Sequence, residues 1–97
     1  MAKEWTAQEV REWLLRVLYD IYMQQSPTAR ASFGSEGFPQ ATDEYPSWKD
    51  IYREAEWLSW KGLIEAEFGP TSIEGVKITP AGREYVEKEL LKPTSGK

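Results

Sequence analysis

Three residues on one short stretch have the types and spacing for recognition chemistry: Arg53, Trp57 and Trp60. A guanidinium one helical turn before an indole can lie on its face as a cation–π pair. Trp, Tyr and Arg are also the side chains that dominate binding energy at interfaces. Lys49 precedes them at helical spacing, so Lys49, Arg53, Trp57 and Trp60 point away from the apolar face of their helix, with Tyr52 on the edge of that face. Catalytic chemistry is poorly served. The chain has no Cys and no His, which removes a Cys nucleophile, a Ser-His-Asp triad, disulfides and Cys/His zinc sites. Most carboxylates fall on faces expected to meet solvent. Runs such as Glu84, Glu87, Lys88 and Glu89 read as helix surface with i,i+4 pairing. Gly34 and Gly37 adjoin no Lys-Ser or Lys-Thr, so no phosphate loop is present. The expectation is a non-enzymatic protein with no cofactor and no metal, a site at Asp43 and Glu44 being the alternative the carboxylates leave open.

The elements that must position these residues can be read from pattern. At 97 residues, the chain has the size of one domain, expected over 1–92 with a frayed tail over 93–97. Aromatics are 13% of it, and each buries roughly 150–250 Å², enough for a compact core without staples. Thr6-Ala7-Gln8-Glu9 reads as a capping box opening a helix over 6–25. Val10, Leu14, Val17, Leu18 and Ile21 fall in one arc of it, while Leu15, Tyr19 and Tyr22 form a second strip on its flank. Residues 26–46 are rich in Ser, Gly and Pro. Either 28–33 makes a short helical turn or the segment is a functional loop. Ser47 then caps a helix over 48–61, with Trp48, Ile51, Ala55 and Leu58 on one face and Gly62 as its stop. Residues 63–68 alternate as a half-buried strand, 69–72 are a turn, and 76–78 form a second strand with Val76 and Ile78 inward. Thr79-Pro80 opens a last helix running to Pro93.

Ile51-x-x-x-Ala55-x-x-Leu58-x-x-x-Gly62-Leu63-Ile64, then a hairpin, then Ile78-Thr79-Pro80-Ala81-Gly82-Arg83-Glu84-Tyr85-Val86-Glu87 resembles the winged helix-turn-helix superfamily. The likeness is to the MarR- and PadR-type regulators and the small YjcQ-like proteins, and it covers about the last half of the chain. The resemblance implies an α+β winged helix, a three-helix core with a two-stranded β-hairpin wing. It implies a recognition helix over 47–61, a wing over 68–75 and a terminal helix often used in dimerisation. It further implies a small DNA-binding or transcription-regulator-like protein that is homodimeric, and the N-terminus, which leads into a charged helix with no signal-like apolar stretch, makes cytoplasmic the default expectation. Lys49, Tyr52 and Arg53 would approach the major groove, and Thr71 and Ser72 the DNA backbone. Two features depart from the pattern. No helix is evident within 26–46, and the wing carries Glu65, Glu67 and Glu74 against Lys77.

Winged helices also serve as protein-binding modules. DNA affinity rests on neutralised phosphates, and Lys49, Arg53 and Lys61 are matched on their own helix by Asp50, Glu54 and Glu56. The alternative is therefore a protein-interaction module without direct DNA binding, anchored by Trp57, Trp60 and Arg53, while the strip Leu15, Tyr19 and Tyr22 is a candidate contact surface, as a dimer face. The same two Trp can equally be covered within the chain, and the strip can be intrachain core. No apolar run reaches the length of a membrane span, and no membrane partner is expected.

Overall fold

The computed structural model describes residues 4–26 and 28–90. The expected tail, 93–97, lies outside them. The described residues are α+β, with three α-helices, a short 3-10 turn over Ser35–Gly37 and a three-stranded antiparallel sheet. Helix α1 spans Ala7–Gln24 and opens on the expected capping box. The Thr6 hydroxyl accepts from the Glu9 amide at 3.1 Å, while the Thr6 amide donates to Glu9 Oε1 at 3.0 Å. Strand β1 spans Ala31–Gly34 and helix α2 spans Trp48–Trp60. Strands β2 (Ile64–Phe68) and β3 (Ser72–Ile78) form the hairpin, and helix α3 (Pro80–Tyr85) continues into a wider π-helical turn over Val86–Leu90.

The junction between α2 and the hairpin follows from Gly62. It has φ +79°, a left-handed conformation open to glycine without strain. The Gly62 amide donates to Ser59 O and the Leu63 amide to Leu58 O, which closes a Schellman motif and satisfies the last carbonyls of α2. Thr79 repeats the logic at the start of α3. Its hydroxyl accepts from the Gly82 amide at 3.0 Å and donates to Gly62 O at 2.6 Å, tying the last helix to the end of α2.

Three expectations are corrected. The sheet has a third strand, because Ala31–Gly34 pairs antiparallel with β3 and gives the order β1-β3-β2. Segment 28–33 is thus no helical turn. The strand escaped notice because Phe33 alone among its four residues is buried. Second, β3 starts four residues earlier than the alternation suggested. Gly75, at φ +60°, is a bulge residue where pairing with both neighbours shifts register. The extra residue lets Ile73 and Val76 both face the core at a spacing of three. Third, the helical geometry after Thr79 changes at Val86.

The core is the inner face of this sheet against α1 and α2, built from Val10, Leu14, Leu18, Ile51, Leu58, Ile64, Ile73 and Ile78 among others. Leu15, expected on a flank strip, belongs to it at 1% exposure. Helix α1 is covered on several sides, by α2, β3, α3 and the π-helical turn, so its second strip packs inside the chain. Residues 38–46 are held by rings instead of a helix. Phe38 meets Trp13 and Tyr45 edge-on at 5.9 and 5.1 Å. The Trp5 indole donates to Thr42 O, and the Trp48 amide to Phe38 O.

Candidate functional site

Lys49 and Arg53 are exposed on the side of α2 that turns from the core, and half-buried Tyr52 stands at its edge, packed against the core. With Trp48, Glu56 and Pro70 they line an open groove of about 340 Å³ between the helix and the hairpin turn. The turn is fixed against the helix by Tyr52. Its hydroxyl donates to Gly69 O at 3.0 Å, and its ring sits edge-on to Trp48 and Phe68 at 5.6 and 5.4 Å. Thr71 and Ser72 lie beyond the groove, and Pro70 is the turn residue that lines it. Thr71 O accepts from the Ser35 amide and Ser72 O from the Gly69 amide, so the turn is braced from both sides.

Arg53 does not stack on Trp57. Its Nη2 donates to Asp50 Oδ1 at 3.0 Å and its Nε to Glu54 Oε2 at 2.9 Å. The other oxygen of Glu54 accepts from Arg11 Nε at 2.7 Å, and the Arg11 guanidinium lies 3.7 Å over the Trp57 ring. A chain of contacts, Asp50–Arg53–Glu54–Arg11–Trp57, therefore joins the exposed face of α2 to α1. Glu54, at 3% exposure, is its hub. Burial works to raise the Glu54 pKa, but the hydrogen bonds and charges of Arg53 and Arg11 outweigh it and hold the carboxyl below its usual range. The hydrogen bond to Glu54 likewise raises the Arg53 pKa.

Glu54 was missed as a member of the site, although a signal existed. It lies at i+3 from Ile51 and i−4 from Leu58, inside the apolar arc of α2, where a carboxylate needs cationic partners. Arg11 is the partner that no local pattern supplies, since it sits 43 residues away.

The two Trp differ. Trp57 is half-buried beneath Arg11, while Trp60 is 78% exposed, with Lys61 Nζ 5.0 Å from its ring. Tyr19 and Tyr22 are engaged within the chain. The Tyr19 hydroxyl donates to Glu87 at 2.9 Å, and Arg83 lies 4.2 Å over the Tyr22 ring. That hydrogen bond raises the Tyr19 pKa. The opposite face of the sheet is acidic. Glu67 and Glu74 are register partners, and Glu65 lies 3.6 Å from Arg30. Among the described residues no group of three or more Asp or Glu could hold a metal ion, and no helix is long and apolar enough to cross a membrane. No protein-family model matches the chain, and neither a curated protein nor a solved structure resembles it significantly.

Proposed function

We propose that the chain is a winged-helix domain of the transcription-regulator type, cytoplasmic and homodimeric, that binds duplex DNA with α2 as its recognition helix and the β2–β3 hairpin as its wing. The order of elements supports the fold reading: α2 enters the hairpin through the Gly62 turn, and the hairpin leads into α3. The observation that carries the functional reading is the groove in which Lys49, Tyr52 and Arg53 meet the hairpin turn. In this reading Lys49 and Lys61 contact phosphates. Neither makes an ion pair with a described residue, whereas Arg53 is already matched by Asp50 and Glu54.

Two phosphate contacts per copy give a slope of about −1.8 in log affinity against log salt, or about a twelvefold loss between 50 and 200 mM. Two copies bound together give about a 150-fold loss over the same range. Fluorescence anisotropy with a short random-sequence duplex tests this, and Lys49→Ala flattens the single-copy slope by about 0.9.

A second reading, a protein-interaction module on the same scaffold, is favoured by Trp60, whose indole is 78% exposed, and by the absence of any cation in the turn over 69–72. No duplex binding at 50 mM salt, or binding insensitive to salt, selects it.

A further inference from the structure

We propose that Arg53 reads a guanine base edge, and that Asp50 and Glu54 are the positioning residues that aim it. This deepens the DNA reading above and rests on it. An arginine that serves phosphate needs net charge, and this one has little to offer: two carboxylates of its own helix bind it at 3.0 and 2.9 Å. What it keeps is direction. Its Nε and Nη2 are tied, and its Nη1 makes no hydrogen bond to a described residue.

The tie is rigid for a reason that runs into the core. Glu54 is 3% exposed, and its second oxygen is bound by Arg11, which is itself flattened on Trp57. The guanidinium therefore inherits its orientation from packed side chains although it remains more than half exposed. A neutralised but oriented fork is unsuited to an anionic backbone flanked by Asp50 and Glu56. It suits neutral acceptors held in a plane. In the major groove, O6 and N7 of guanine are that pair, and arginine is their commonest specific partner. Asp50 and Glu54 thus trade affinity for selectivity.

The test is selection from a pool of duplexes with a randomised centre at 50 mM salt, followed by sequencing of the bound fraction. The wild-type protein is expected to enrich guanine at one position per bound copy. Replacing that guanine by 7-deazaguanine, which keeps O6 and lacks N7, removes one of the two hydrogen bonds and weakens binding about 2- to 12-fold. Arg53→Lys keeps the charge and loses the fork. The guanine preference therefore disappears, and what binding remains is equal for all members of the pool. Asp50→Asn gives the sharper result, because removing an acid from a DNA-facing surface raises affinity for any sequence. The positioning role predicts that overall affinity rises while guanine discrimination falls several-fold.

Enrichment that survives in Arg53→Lys overturns the assignment of Arg53. Asp50→Asn with discrimination intact overturns the role of the carboxylates. Binding without any base preference overturns this inference and leaves the DNA reading standing, whereas a pool that is not bound at all removes both.

Discussion

Gly82→Ala separates helix propensity from packing by the sign of its effect. Gly82 is in the first turn of α3 and is buried. At an unobstructed helical position, alanine in place of glycine stabilises by about 1 kcal/mol. Here a Cβ would overlap the carbonyl oxygen of Leu63 and come within 2.7 Å of Ile78 Cγ1. Neither neighbour can yield cheaply. Leu63 O is main chain and accepts from the Thr79 amide at 3.1 Å, and Ile78 is fully buried. Forced packing costs about 1–3 kcal/mol, and loss of the Thr79–Leu63 hydrogen bond costs about 1 kcal/mol. Set against the propensity gain, the net loss is about 2 kcal/mol. For a domain of this size, that lowers the melting temperature by about 8–16 °C. Thermal and urea unfolding followed by far-ultraviolet circular dichroism measure it. Gly37→Ala, where a Cβ meets nothing within 4 Å, serves as the control and changes stability by less than about 0.5 kcal/mol. A Gly82→Ala protein as stable as the wild type, or more so, refutes the close approach of α3 to the end of α2.

Glu54→Gln removes the charge from the hydrogen bond to Arg11 across α1 and α2 and from the one to Arg53 within α2, and costs about 2 kcal/mol at neutral pH, measured by urea unfolding. Because the Glu54 carboxyl is held below its unfolded value, its contribution is present above about pH 5 and is lost as pH falls through the folded value. The stability gap between wild type and Glu54→Gln should therefore narrow in acid, and a gap that widens contradicts the ion-pair account. Tyr52→Phe removes the hydroxyl bond to Gly69 O and costs about 1 kcal/mol, with faster amide exchange in the turn over 69–72. Trp60→Ala leaves the melting temperature within about 3 °C, since the indole is 78% exposed; a large drop means that Trp60 is held by contacts in solution.

Sequence pattern made both long helices legible to within about a residue at their ends, because caps are local chemistry: Thr6 with Glu9, Ser47 with Asp50, Gly62 after Lys61. The hairpin was legible for the same reason, with Gly69-Pro70 between alternating runs. What escaped was set by distant partners. The strand over 31–34 exists because β3 offers an edge to it, and four residues with one buried side chain carry too little pattern to announce that. The bulge at Gly75 breaks the period of two on which strand reading depends, so Ile73 went unrecognised as core. Within the site, the cluster Lys49, Tyr52 and Arg53 followed from one helix face and was anticipated. Arg11 over Trp57 joins two helices, and the wheel of a single helix misassigned that contact to Arg53.

The proposal that the α2–hairpin face binds duplex DNA is open to a direct measurement. Its most direct test is a titration of the ¹⁵N-labelled protein with a short random-sequence duplex at low salt, followed through backbone amide shifts. If that face binds DNA, shifts concentrate in 49–61 and 69–72 and reverse as salt is raised. Shifts confined to α1 and α3, or none at any duplex concentration, contradict it.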